Sequence, residues 1–277
     1  MNLLEYKSNK YSSTGNDGII EKIFDILGLK PGFFVEFGAL DGIKGSNCKK
    51  LHDEGWEGLF IESSAEKFEL LKKNYENEEK VVCVNAHIDN KENLFDDIVK
   101  NHVKKGIDFC AIDIDGLDVE IFETFNDFLP TVVCIEGGQM LEPLSGRVPE
   151  VVASGNVQQS LKTMVGIFEE KGYKLLCTYQ DSFFIKKEYY DLFSVSEDLV
   201  EQYLDGLIAI HRRMPWIQFT LNYYSIKNKL INYILLNSNY YQYGYENRKK
   251  WAVEQEELTL KNIQELKNKY CGKRESK

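Results

Sequence analysis

Hydrophobic and polar positions follow two rhythms over the first two-thirds of the chain. Five short runs, FFVEF at 33–37, GLFIE at 58–62, VVCVNA at 81–86, DFCAIDID at 108–115 and TVVCIE at 131–136, are rich in Val, Ile, Phe and Cys. Nearly continuous apolar runs of this length suit strands covered on both faces, as in a parallel sheet between helices. Between them, over 17–27, 65–75, 91–104 and 118–128, apolar residues recur at helical spacing. This is the βα winding of an α/β domain. A helix over 157–171, stopped at Gly172, leads into YKLLCTY (173–179) and SFFIKK (182–187), with Gln180-Asp181 as a tight turn. The sheet is therefore expected to end in an antiparallel hairpin.

Two segments break the pattern. GGQMLEPLSGRVPEVVASGN, 137–156, is punctuated by Gly and Pro and long enough to be a functional loop. Beyond Glu188 the composition changes, and seven of the 16 tyrosines fall between Tyr223 and Tyr245 around the apolar LINYILL. The expected division is a core over 1–190 and a helical, Tyr-rich extension over 191–277 that contacts substrate or a second copy of the chain.

Composition narrows the function. With 43% hydrophobic and 13% aromatic residues the chain can bury a full core. The net charge of −10 argues against nucleic acid as principal partner, since such proteins cluster Lys and Arg against phosphates. The charge is uneven: residues 248–277 hold nine basic against five acidic residues, leaving −14 on the rest, a pattern of a solvated helix or an interaction arm. No apolar run approaches a membrane span and the N-terminus lacks a signal-peptide pattern, so a cytoplasmic protein is expected. The six cysteines show no CxxC spacing and read as reduced core residues, which disfavours a zinc site.

The densest chemical signal is FVEFGALDG, 34–42. It sets Glu36 in the first strand, Gly38 in the following turn and Asp41 just beyond, where open parallel sheets bind ligands and glycine lets backbone approach them. The full GxGxxG pattern and a GK[ST] are both missing, which disfavours a pyrophosphate cofactor or a nucleoside triphosphate. Glu62, closing the second run, can accept both hydroxyls of a ribose, and NAHID at 85–89 ends the third run where an adenine edge would lie. Each could equally cap the helix that follows.

Together with YSSTGNDGIIEKIF, the stretch through GSNCKKLHDEGWEGLFIE, IDFCAIDIDGLD and SLKTMVGIFEEKGYKLLCTYQDSFFI, these motifs resemble the FkbM-type branch of class I S-adenosylmethionine (SAM)-dependent methyltransferases over roughly residues 9–190. The resemblance implies a Rossmann-like, seven-stranded, mostly parallel sheet with an antiparallel last strand, SAM at the first βα turn, and transfer to a hydroxyl oxygen of a saccharide. It further suggests enzymes of bacterial capsule or lipopolysaccharide clusters, including those decorating capsules with phosphoramidate. Carried over, Glu36, Gly38, Asp41 and Asn47 match the cofactor turn, Glu62 the ribose acid, and Ala86, His87 and Ile88 the adenine segment. Where the family has YSQxGED this chain has YSSTGND, so Ser13 replaces a glutamine and Asn16 an acid.

Asp113-Ile-Asp115-Gly116, with Asp118 behind, ends the fourth run, and Glu136 ends the fifth. Strand alternation would put Asp113 and Asp115 on one face. Asp113, Asp115 and Glu136 could orient the methionine amine and the acceptor, supply a general base, or hold Mg2+ or Mn2+; helix capping is the plainer role of Asp115 and Asp118. IAIHRRMPW at 208–216 adds His211, a proton acceptor near neutral pH, and Arg212 and Arg213, which can fork onto a phosphate or answer a helix dipole. Asp113 and His211 are thus the expected catalytic residues, with Asp115, Glu136, Arg212 and Arg213 toward the acceptor. The rival readings are a non-catalytic nucleoside-binding scaffold and a nicotinamide-dependent oxidoreductase, the latter disfavoured by the incomplete glycine pattern.

Overall fold

Five strands, β1 (Phe33–Phe37), β2 (Glu57–Glu62), β3 (Val81–Asn85), β4 (Phe109–Ile112) and β5 (Val132–Glu136), lie parallel in the computed structural model. The structure describes residues 1–139, 143–144, 146–147, 158–211, 264–265 and 268, with 210 and 211 as helix backbone. A hairpin of β6 (Tyr173–Thr178) and β7 (Asp181–Lys186) completes a seven-stranded sheet of order β3-β2-β1-β4-β5-β7-β6, and β7 runs antiparallel to both neighbours. The seven strands and the terminal hairpin match the expectation.

Successive side chains of the central strands feed opposite layers. Val35, Phe37, Cys110, Ile112, Val133 and Ile135 face one core; Phe34, Phe109, Ala111, Val132 and Cys134 face the other. The first layer is closed by α4 (Phe95–Val99), α5 (Asp118–Glu123), α6 (Leu161–Glu170) and α7 (Leu199–His211). There Phe168 stacks between Phe122 and Phe184, each at 3.7 Å between ring centres. A fully buried Phe is worth roughly 2–3 kcal/mol, so this stack pins the hairpin to the helices. The second layer is α1 (Asn16–Leu27), α2 (Lys49–Asp53) and α3 (Ala65–Asn74), with Leu3 and Leu4 of the N-terminus tucked beneath.

Several expectations are corrected. β3 is the sheet's edge, and Val82 is exposed, because no strand lies beyond it. The helices expected over 91–104 and 118–128 shrink to α4 and α5. Of the apolar residues left outside them, Val103 and Phe125 still reach the core from irregular chain. α6 begins only at Leu161, where the Ser160 hydroxyl accepts from the Thr163 amide. Cys83 is only partly buried, whereas Cys48, Cys110, Cys134 and Cys177 are buried and free. α7, opening the extension, packs on β6, α6 and the N-terminal turn through Tyr203, Leu204 and Leu207. Arg212, Arg213, the tyrosine cluster and Cys271 lie outside the described residues. Among those described, no helix is long and apolar enough to cross a membrane.

Candidate functional site

Because β1, β2, β3 and β4 are parallel neighbours, their carboxyl ends open side by side, and a cavity of about 350 Å³ lies across them. Pockets for small molecules span roughly 300–1,000 Å³. Gly38 sets one wall. Its φ is +74°, and a Cβ there would stand 1.8 Å from the Asp113 carbonyl oxygen, so the turn after β1 passes directly over the end of β4 only without a side chain. Leu40, at φ 51° and half exposed, also lines the cavity; its amide donates to Glu62 Oε2 at 2.8 Å.

Glu62 is buried at the cavity wall and accepts from two amides, Leu40 at Oε2 and Ser64 at Oε1. A carboxylate has about four acceptor positions, so one on each oxygen remains for a vicinal diol. Ala86, His87 and Ile88 follow β3 along the same cavity, with Ile88 rooted in the core and His87 open to solvent. Asp113, Ile114 and Asp115 close the other side.

Three residues assigned to the cofactor turn, Glu36, Asp41 and Asn47, do not line this cavity. Glu36 is buried: Oε1 accepts from the Asn47 amide at 2.7 Å, and Oε2 from the Ser46 hydroxyl at 2.5 Å and the Cys48 amide at 3.3 Å. Burial still raises its carboxyl to about 7 against these donors. The Asn47 side chain accepts from Asn16 Nδ2 at 2.8 Å. Asp41 holds its own turn by accepting from the Ile43 and Lys44 amides, both at 2.9 Å.

At the acceptor end, Asp113, Asp115 and Glu136 each offer an oxygen, and all three lie within 4.8 Å of one another. Strand alternation is not the cause. β4 ends at Ile112, and Asp115 comes round in a turn at φ 60°. Asp118 braces that turn rather than capping α5: its carboxylate accepts from the Ile114 amide at 2.9 Å and the Gly116 amide at 3.0 Å. Asp113 opens onto the cleft, yet protein surrounds it closely; loss of hydration first, then Asp181, Asp118 and Asp115, push it up to about 7. Loss of hydration first, then the charge of Asp113, pushes half-buried Glu136 to about 8, and burial lifts Asp118 to about 6.

Behind this row lies a buried network that no sequence motif announces. Asp181 pairs with Glu136 across β5 and β7, since an antiparallel strand begins where its parallel neighbour ends. Its Oδ2 accepts from Thr14 Oγ1 at 2.9 Å and Asn16 Nδ2 at 2.8 Å; the Tyr179 hydroxyl donates to Asn16 Oδ1. Asp17 gathers the loop before it, accepting at Oδ2 from the amides of Lys10, Tyr11 and Ser12. Its trace in the sequence is the polar run YSSTGND, too polar for a helix start that is wholly buried. His211 closes α7 by its backbone; its side chain, like Arg212 and Arg213, lies outside the described residues.

The strand order with one antiparallel strand decides the fold. It is the class I methyltransferase fold. No protein-family model matches this chain, and no curated protein matches it. Solved structures similar to it include a SAM-dependent methyltransferase from Aquifex aeolicus (15% identity, 60% of this chain and 86% of that one, TM-score 0.39). An SAH-bound methyltransferase from Podospora anserina shares 12% identity over 56% of this chain and 70% of that one, TM-score 0.40. A TehB-like SAM-dependent methyltransferase from Corynebacterium glutamicum shares 11% over 60% and 86%, TM-score 0.39.

Proposed function

We propose that this protein is a SAM-dependent O-methyltransferase acting on a saccharide, sugar phosphate or phosphoramidate acceptor in bacterial surface-glycan synthesis. The observation that carries the methyl-transfer reading is the cavity across four strand ends, with an acid at the end of β2, apolar Ala86 and Ile88 after β3, and the carboxylates Asp113 and Asp115 after β4. The acceptor class rests on the FkbM resemblance alone.

SAM, when bound, supplies a methyl group on a positively charged sulfur. The residues present fit such a ligand. Glu62 has free acceptor positions for ribose hydroxyls, Ile88 and Ala86 offer an apolar face to the base, and Gly38 leaves backbone rather than side chain against the ligand. The carboxylates at Asp113 favour a cation there by simple attraction. Positioning the acceptor in line supplies much of the rate in such a transfer. Asp113, held near neutrality, can accept the proton that a hydroxyl loses as its oxygen takes the methyl.

The test is ligand binding followed by turnover. S-adenosylhomocysteine (SAH) in excess is expected to raise the melting temperature by several degrees, and Glu62→Gln to weaken binding about tenfold by replacing a charged acceptor with a neutral one. Stabilisation by NADH and none by SAH or SAM would overturn the reading. A mass-spectrometric screen of sugars, sugar phosphates and phosphoramidates for a gain of one methyl then identifies the acceptor.

A further inference from the structure

Leu40 holds a backbone conformation that its side chain disfavours. Its φ is 51°, in the left-handed region that strains a bulky residue and that glycine occupies with ease. The turn enforces it. The Leu40 amide donates to Glu62 Oε2 at 2.8 Å, the Ala39 amide to the Ile61 carbonyl at 3.2 Å, and the Tyr75 hydroxyl to the Gly42 carbonyl at 2.6 Å. Packing does not offset the strain: Leu40 belongs to neither hydrophobic core and is 48% exposed, yet it lines the cavity across the strand ends. Strain kept at a cavity wall, without a core contact to explain it, points to a ligand contact.

The position of Leu40 says which ligand. In a dinucleotide-binding G-x-G-x-x-G turn, the second glycine lets backbone approach the pyrophosphate. Counted from Gly38, that position is Leu40. The nearby amides that could receive a phosphate are already engaged by carboxylates: Leu40 by Glu62, Ile43 and Lys44 by Asp41, Asn47 and Cys48 by Glu36. α2 opens only at Lys49, so no helix start stands at the turn to receive an anion. A turn with leucine at its tip and its amides held by acids rejects phosphate, whereas Glu62 keeps acceptor positions for a diol.

We propose that Leu40 is the specificity-determining residue of this cavity: its side chain covers a nucleoside whose ribose hydroxyls bind Glu62, and it stands where a dinucleotide would need bare backbone for its pyrophosphate. The cavity therefore takes nucleosides that carry no 5′ phosphate and excludes nucleotides and dinucleotides. Naming SAM as the occupant rests on the methyl-transfer reading; the selection against phosphate does not. Covering the exposed half of a leucine side chain is worth about tenfold in binding. Because that side chain strains the turn, removing it relaxes the fold while it weakens the ligand. A leucine that served only the fold would lose stability instead.

The experiment titrates the full chain calorimetrically with SAH, adenosine and NADH. The wild type is expected to bind SAH and adenosine, and NADH about a hundredfold more weakly than SAH. Leu40→Gly should bind SAH and adenosine about tenfold more weakly. Without ligand it should melt no lower than the wild type, since glycine accepts the left-handed φ. Leu40→Met, which restores an apolar cover, should stay within about threefold of the wild-type affinity. Unchanged SAH and adenosine affinity in Leu40→Gly, NADH bound by the wild type as tightly as SAH, or a Leu40→Gly chain that melts well below the wild type overturns the proposal. SAH bound equally by wild type and Leu40→Gly defeats the role of Leu40 and leaves the methyltransferase reading; adenosine binding that depends on Leu40, with neither SAH nor SAM bound, does the reverse. A wild type that binds none of the three nucleosides overturns both.

Discussion

Gly38 and Glu36 show how two neighbouring residues of one motif serve different ends. Glu36 points into the layer of α1 and staples residues 46–48, while Gly38 brings two backbones together over the cavity. Gly38→Ala must find room 1.8 Å from the Asp113 carbonyl oxygen at a φ of +74°, neither of which can relax without moving β4. A loss of about 3 kcal/mol or more in urea unfolding, with SAH binding abolished in whatever folds, is expected. An unchanged unfolding midpoint would show that the turn is looser than the structure has it. The glycine and the second-strand acid were legible because their chemistry depends on position after a strand. The exact role of Glu36 was not, because nothing in a sequence shows that residues 46–48 fold back onto it.

Elements were legible in proportion to how far their pattern was local. Strands buried on both faces announce themselves by composition, so β1, β2, β4 and β5 fall where the apolar runs do. The edge position of β3 and the shortening of α4 and α5 depend on what packs from elsewhere, and Phe125 reads as helical though it meets Phe95 face to face from irregular chain. The buried loop before α1 was hidden for the same reason: Asn16 is polar in sequence, but its partners Asn47 and Asp181 are 31 and 165 residues away. That network makes a sharp prediction at this scale. Asn16→Asp keeps the shape but replaces the donor on Asp181 with a second buried carboxylate, costing about 3 kcal/mol at pH 8. Burial and Asp181 would raise the new carboxyl in the folded state, so the folded variant binds more protons than the unfolded one and the deficit shrinks as pH falls toward 5. Denaturation midpoints of wild type and variant at the two pH values give the answer; an equal deficit at both would contradict the proposed contact.

At the scale of the whole molecule, a net charge of −10 that first only argued against nucleic acid becomes a statement about stability, because the acids are not spread evenly. Glu36, Asp113, Asp118 and Glu136 all stand above their ordinary range, at about 7, 7, 6 and 8, burial being the first cause in each. Asp89, pulled below its range by the Lys91 amide and the Asn93 side chain, acts in the opposite sense. So does Asp53, where hydrogen bonds from Lys49 and Tyr11 outweigh partial burial. The contributions of those two are complete once the pH passes their unfolded value near 4, so they do not offset the others above it. Between about pH 4 and pH 8 the folded chain therefore holds more protons than the unfolded chain, and stability falls as pH rises. Glu36, 5% exposed and raised from 4.5 to about 7, accounts on its own for about 3 kcal/mol of that fall. The other three add to it, Asp113 the least, because it is open to the cleft and solvent screens it. Chelator-treated protein should thus show its highest urea midpoint near pH 4 and lose stability toward pH 8, and Glu36→Gln should flatten the slope. A midpoint that climbs from pH 5 to pH 8 in the chelated protein would mean that these carboxylates are already ionised and solvated, and that the acidic edge is not the crowded site its geometry describes.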